Sequence, residues 1–235
     1  MSVERTASSV GITGVISQFN VRARFLKQHA QVNRVLELGC GSGSNLVLLN
    51  QINPHLELHG VDLRDGGGLP EYIRFHKMDL DADPSLPYPD ESFDLILLTH
   101  VLEHLRNPLS LAREINRILK CGGYLYVEAP NWVSLFIPSF SFQRRQHGPF
   151  NFFDDPTHLK PWSKHGIYSF ISQYAGLQVV RVGTVRNWAR LPLDPLIIIL
   201  ALLIRRRGWL VTSISNLTGW CVYGVGRKIV QANSN

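Results

Sequence analysis

The chain has 235 residues, 45 % of them apolar and 18 % charged, enough for one domain with a sizeable core and unlike fibrous or disordered sequences. Its three cysteines, Cys40, Cys121 and Cys221, stand far apart beside glycines or in apolar runs. That spacing argues against a disulfide framework or a zinc site and points to a reducing compartment. The net charge of +6 hides an asymmetry: Met1 to Pro130 carries 12 Lys and Arg against 15 Asp and Glu, whereas Asn131 to Asn235 carries 12 against 3.

Met1 to Gly14 lacks the apolar core of a signal peptide, and its single Arg5 makes no targeting region. Gly14 to Ala30 reads as a helix, with Ile16, Phe19, Phe25 and Leu26 toward one side, expected to pack over a ligand site. Val35 to Leu38 is a first strand that runs into Gly39, Gly41 and Gly43 and then into a helix over Ser44 to Gln51. Glycines there let the backbone turn at positive φ and let a ligand lie against its amides. Glu37, near the end of a strand expected to be buried, needs a partner, either a cationic ligand group or backbone N–H.

Leu56 to Val61 is the second strand, ending in Asp62, and Ile73 to Met78 the third, ending in Asp79. Phe93 to Leu98 is a continuous apolar run suited to a strand buried on both faces. Asn107-Pro108 marks the start of a helix whose stripe of Leu111, Ile115, Ile118 and Leu119 ends at Gly122-Gly123. Tyr124 to Glu128 is the fifth strand. Alternating strands and helices imply a doubly wound α/β, Rossmann-like sheet with ligands at the carboxyl ends of its strands.

After Pro130 the periodicity loosens. Asn131 to Pro161 reads as a long loop or lid, Ser163 to Tyr174 as a helix, and Gln178 to Val185 and Trp220 to Val230 as two last strands that pair. One domain is expected, divided into an N-terminal helical cap (1–31), a cofactor-binding core (32–130) and an acceptor side (131–235) with an apolar and basic insertion (191–217).

Asp62, about 20 residues past the glycine loop, can accept both hydroxyls of a ribose, or serve as a turn residue or helix N-cap. Asp79 can accept an exocyclic amine while Leu80 packs on a base, or can close an acidic turn. The G-x-G-x-G spacing departs from the dinucleotide fingerprint, and no second strand-helix half follows residue 130, which speaks against a nicotinamide dehydrogenase.

The ordered series Glu37-x-Gly39-x-Gly41-x-Gly43, Asp62, Asp79-Leu80, Phe93-Asp94-Leu95-Ile96, Val101-Leu102-Glu103-His104-Leu105 and Leu119-Lys120-x-Gly122-Gly123 resembles class I S-adenosylmethionine-dependent methyltransferases. Within them it is similar to the small-molecule, type 11 branch that includes ubiquinone-pathway enzymes. The resemblance runs from Val32 to Pro130 and more weakly to Val230. It implies a mostly parallel seven-stranded sheet with an antiparallel last strand, preceded by the helical insertion, and S-adenosylmethionine as cofactor. By the same resemblance Glu37, Gly39, Gly41 and Gly43 hold the methionine moiety, Asp62 with Leu63 the ribose, and Asp79 with Leu80 the adenine. Thr99, His100 and Val101 would lie near the sulfonium. The family's usual Pro-Gly-Gly is Cys121-Gly122-Gly123 here, a change confined to a turn.

Methyl transfer from a sulfonium needs alignment above all, and a base only where the acceptor must lose a proton. His100, His104 and His158 are candidates, with His104 in a position that is often structural. Asp155 and His158, in Asp154-Asp155-Pro156-Thr157-His158, can form a carboxylate-oriented base or a pair that anchors the loop with Ser163 as a helix N-cap. No compact His/Asp/Glu ligand constellation is visible, so no metal is expected.

The apolar run Leu196 to Ile204 is too short to span a bilayer. Followed by Arg205-Arg206-Arg207-Gly208-Trp209, it suits an interfacial anchor on anionic lipid over 191–209, and equally a cap over the acceptor or a dimer contact. The expected partner is a small-molecule or lipid-linked, anionic acceptor, and the expected location is cytoplasmic, peripheral on a membrane if the insertion anchors. The basic second half is alternatively a solvated face. A nucleic-acid (RNA) methyltransferase is a competing reading, weakened because Ala129-Pro130-Asn131-Trp132 is no Asn-Pro-Pro-Tyr segment. A catalytically silent cofactor-binding protein is a third. Oligomeric state is left open.

Overall fold

β1 (Arg34–Leu38), β2 (Glu57–Asp62), β3 (Ile73–Lys77), β4 (Phe93–Thr99), β5 (Leu119–Pro130), β6 (Gln178–Thr184) and β7 (Cys221–Arg227) form one sheet in the order β3-β2-β1-β4-β5-β7-β6. The computed structural model that shows this describes residues 21–83, 85–137 and 151–229. β1 to β5 are parallel, and β7 runs antiparallel to both β5 and β6. The order reverses between β1 and β4, and in an open α/β sheet that reversal opens a crevice at the carboxyl edge.

Side chains alternate along each strand, and both sets are buried. Leu36, Leu38, Ile96, Leu98, Leu125 and Val127 face one layer; Val35, Leu95, Leu97 and Tyr126 face the other. Each fully buried aliphatic chain stabilises the fold by about 1.5–3 kcal/mol. The first layer is covered by α3 (Pro108–Ile118) and by α4 (Lys164–Ser169), which continues as a π-helical turn over Phe170–Tyr174. The second is covered by α1 (Val21–Gln28) and α2 (Ser44–Ile52). Phe25 of α1 lies 4.9 Å from the Tyr126 ring, so α1 rests against β5. The expected contributions of Ile16 and Phe19 and residues 138–150 of the expected lid lie outside the described residues, and the last strand, expected to run to Val230, ends at Arg227.

The boundary between the helix and strand ahead of Tyr124 differs from the sequence expectation. The helix ahead of β5 ends at Ile118, not at Gly122-Gly123, because Leu119 already pairs with Phe93. The glycines instead serve an irregularity in the strand: Gly122 has φ 82°, and a Cβ on Gly123 would stand 2.9 Å from the Lys120 carbonyl oxygen. Asn107 sits at the N-cap of α3 without a side-chain bond; Asp81 accepts from the amides of Arg106 and Asn107 instead.

The insertion is a helical hairpin, α5 (Asp194–Leu203) and α6 (Arg207–Thr218). It leaves the sheet after β6 and returns at β7, whose first residue pairs with Pro130 at the end of β5. The hairpin therefore rises from the same edge as the glycine loop. Among the described residues no helix is long and apolar enough to cross a membrane.

Candidate functional site

β1 delivers the chain into a loop in which Gly39, Gly41 and Gly43 all have left-handed φ, 70°, 53° and 70°. Such angles are costly for residues with a Cβ, which explains glycine at each second position. The loop is fixed to β2 because Val61 O accepts from the amides of Gly39 and Cys40, at 2.7 and 3.0 Å. Val101, just past β4, leans on it so closely that a Cβ on Gly39 would stand 2.2 Å from Val101 Cγ2.

Behind the loop lies Glu37, buried in β1. Its Oε1 accepts from Asn45 Nδ2 at 2.5 Å and from Thr99 Oγ1 at 3.3 Å, while Oε2 is buried with no partner. Burial pushes its carboxyl up to about 7, only partly opposed by those two bonds. A half-ionised carboxylate with a spare buried oxygen is suited to receive a cation that arrives with a ligand.

Asp62 ends β2 and spans the crevice. Oδ2 accepts from Gly41 N at 2.8 Å, and Oδ1 from Arg64 N at 2.9 Å. Burial works against ionisation, but these backbone bonds and Arg64 outweigh it and hold the carboxyl below its usual range. Leu63 beside it is exposed. Past β3, Asp79 Oδ1 closes a turn by accepting from the amides of Asp81 and Ala82, and Leu80 is buried beneath. All these groups stand on one sheet edge.

At the end of β4, His100 adopts φ 56°, a conformation that a non-glycine residue takes only where its surroundings enforce it. Its Nδ1 is 3.2 Å from Glu103 Oε1, its Nε2 3.5 Å from Glu128 Oε1 and 3.9 Å from Cys221 Sγ. Burial disfavours the imidazolium, yet hydrogen bonds to Cys221, Glu103 and Glu128 raise it well above the usual histidine value. Glu128 is correspondingly low, about 2: burial opposes its ionisation, but Arg22 at 3.9 Å, His100, and Tyr126 donating at 2.7 Å prevail. Burial pushes the Cys221 thiol up to about 11. His100, expected as a base, thus stands between two carboxylates that favour its protonated form. Glu103 entered the sequence reading only as a member of the Val101-Leu105 motif, and Glu128 not as a site residue, although it sits near a strand's carboxyl end like Asp62.

The segment after residue 150 folds onto this edge, with Leu159 N donating to Glu103 O at 2.7 Å. His158 Nδ1 lies 2.7 Å from Phe152 O, which can only accept, so Nδ1 is the donor and Nε2 the lone-pair nitrogen of the neutral ring. Asp155 Oδ2 is 3.9 Å from that Nε2, within ion-pair reach but beyond a hydrogen bond. Its Oδ1 accepts from Thr157 N and Oγ1 at 2.9 and 2.6 Å. The two residues are neighbours, but the imidazole N–H is held by Phe152 O and not by Asp155, whose hydrogen bonds go to Thr157 in its own loop. Ser163 caps α4 by accepting from Gly166 N.

The expectation that no compact ligand constellation exists is corrected. Ligand atoms of Glu103, His104 and His158 lie within 4.8 Å of one another, as do those of His100, Glu128 and Cys221. The first group is assembled by the docking of the 151–162 segment, which sequence separation conceals.

A family model described as a methyltransferase domain matches residues 18–182. The chain is 28 % identical over 162 residues to the biotin biosynthesis bifunctional protein BioHC of Teredinibacter turnerae, covering 62 % of this chain and 26 % of that protein. It is 30 % identical over 101 residues to the 27-O-demethylrifamycin SV methyltransferase of Amycolatopsis mediterranei, covering 40 % of this chain and 37 % of that protein. It therefore spans well under half the length of these curated relatives. A SAM dependent methyltransferase from Archaeoglobus fulgidus shares the fold, with a TM-score of 0.60 at 20 % identity, covering 92 % of this chain and 94 % of that one.

Proposed function

Because the chain belongs to the class I S-adenosylmethionine-dependent methyltransferases, we propose that it methylates a small or lipid-linked, anionic acceptor approaching the carboxyl edge of the sheet. The observation that carries this reading is the position of the apolar hairpin. It rises from the edge that holds the glycine loop, and Trp220, where the chain returns, has its ring 6.1 Å from the His100 imidazole. An acceptor with an apolar portion would meet α5 and α6 on the way to the ends of β4 and β5.

The residues present fit the cofactor. Glu37 Oε2, buried and unpartnered, matches an ammonium; the left-handed glycines leave room for a methionine moiety; Asp62 retains lone pairs for ribose hydroxyls; Asp79 and Leu80 flank the place for the adenine. When bound, the sulfonium supplies an activated methyl carbon. Thr99 and Val101 shape the wall beside it, and His100, whose protonated form the two carboxylates favour, orients an anionic acceptor there. His158, with its lone pair on Nε2 and Asp155 3.9 Å away, takes the acceptor's proton where the nucleophile carries one.

A methyl-label assay on fractionated cell extract, with lipid and aqueous phases separated, tests this. Label in lipid or in small anionic metabolites is the expected outcome. Label confined to RNA would overturn it in favour of a nucleic-acid enzyme, and no transfer to any fraction would favour a silent binder.

A further inference from the structure

The hairpin turns an apolar face outward. Leu196, Ile199, Leu200 and Leu203 recur at helical spacing along one face of α5, the pattern that normally turns toward a core. Here that face points to solvent, with exposures of 66, 57, 43 and 76 %. The opposite side begins with Asp194 and continues with Ile197, Ile198 and Ala201, which are partly or fully buried. Asp194 is fully buried there, with Arg190 Nε 2.9 Å from Oδ1 and Asn216 Nδ2 donating to Oδ2 at 2.5 Å. Arg190 Nη2 also donates to Ser213 Oγ at 2.6 Å. A hairpin that pairs its buried charges internally and presents leucine and isoleucine outward is suited to a surrounding medium other than water.

We infer that α5 and the turn after it dock on an anionic membrane surface. Ten residues of helix extend about 15 Å, half the hydrocarbon thickness, so the hairpin lies in the interface and does not cross it. The exposed Ile204 and Trp209 extend the apolar face to its end, and Trp suits the headgroup boundary. The cations complete the match: Arg205 and Arg206 are exposed at the turn, and no Asp or Glu occurs from Pro195 to Asn235. That composition also disfavours a second copy as the occupant, because a twofold contact through this face brings arginines together with no neighbouring carboxylate to pair them. Docking there would hold the carboxyl edge of the sheet toward the bilayer.

The test is co-sedimentation of the full chain with phosphatidylcholine vesicles that contain or lack phosphatidylglycerol. Binding is expected with phosphatidylglycerol only, falling with salt, and Arg205→Gln/Arg206→Gln is expected to weaken it about 30-fold. Leu196→Glu/Leu203→Glu should abolish it while calorimetric binding of S-adenosylmethionine is unchanged, which shows that the variant is folded. Wild type remaining in the supernatant with anionic vesicles would overturn the inference. So would sedimentation velocity showing a wild-type dimer that the Leu196→Glu/Leu203→Glu variant dissolves, since the face would then be a self-association surface. The measurement needs no turnover, so its failure leaves the methyl-transfer reading intact, and absence of label in lipid leaves docking intact.

Discussion

His100 and Glu128 stabilise each other's charge: the imidazole Nε2 lies 3.5 Å from the carboxylate, and the two groups are displaced in opposite directions from their ordinary titration ranges. The Glu128 carboxyl falls from 4.5 to about 2, so its contribution to stability is complete above pH 4.5 and is lost as pH drops toward 2. His100 is raised above 6.5, so its contribution is complete below that pH and is lost as pH climbs through the raised value. Glu128→Gln should therefore cost about 3 kcal/mol near pH 5.5 and progressively less as the medium is acidified. Urea unfolding across pH measures this. A wild-type-to-variant difference that stays constant from pH 2 to 7 contradicts it.

Glu37 predicts a proton released on cofactor binding. With its carboxyl near 7 in the free protein, it is half-protonated at neutral pH, and an ammonium beside Oε2 draws it to the ionised form. Calorimetry at pH 7 in buffers of different ionisation enthalpy should report release of about half a proton. Glu37→Gln should abolish that release and weaken binding roughly tenfold or more. Unchanged proton linkage in the variant would place the ammonium elsewhere.

Asp62→Ala removes the acceptor expected for the ribose and also unfastens Gly41 N and Arg64 N. Loss of two charge-assisted hydrogen bonds corresponds to a fall in S-adenosylmethionine affinity on the order of 100-fold. Asp62→Asn, which keeps an acceptor oxygen, should recover part of it. Wild-type affinity in Asp62→Ala would remove Asp62 from the cofactor site.

Gly39→Ala combines two separable penalties. The φ of 70° disfavours any Cβ, and Val101 Cγ2 would stand 2.2 Å from it. The expected loss is about 2–4 kcal/mol. Gly39→Ala/Val101→Ala should return the steric share but not the backbone share, leaving about 1–2 kcal/mol. Thermal melts of both variants and of Val101→Ala form the cycle. Full recovery in the double variant would mean the dihedral carries no cost.

What the sequence disclosed about this edge follows the range of the interactions. The glycine loop, Asp62 and Asp79 are local events at strand ends, and apolar runs locate β1 to β4 and β6 to within one residue. The pair at Gly122-Gly123 misled because glycine after an apolar helical stripe usually means a C-cap, while here strand pairing of Leu119 overrides it. The cluster around His100 was hidden for a different reason. Pro130 opposite Cys221 in the antiparallel pairing of β5 with β7 sets residue 221 beside residue 100, and nothing in local spacing encodes that register. The docking of Leu159 on Glu103, which gathers His104 and His158, is equally nonlocal.

Asp194 decides whether the hairpin is an autonomous unit. Its carboxylate is fully buried between Arg190 and Asn216, so Asp194→Ala leaves a guanidinium and an amide without their acceptor inside the hairpin. Breaking such a pair from one side costs about 3–5 kcal/mol, whereas replacing both charges by apolar groups of similar volume is often nearly neutral. Asp194→Ala should thus raise amide hydrogen exchange throughout α5 and α6, and Arg190→Met/Asp194→Leu should restore most of the protection. The nucleotide-side residues stand on β1, β2 and β3, at the other end of the sheet order from β6, so cofactor affinity should remain within about twofold in both variants. Loss of cofactor binding together with the hairpin's protection would show that the two fold as one cooperative unit and that the hairpin braces the carboxyl edge.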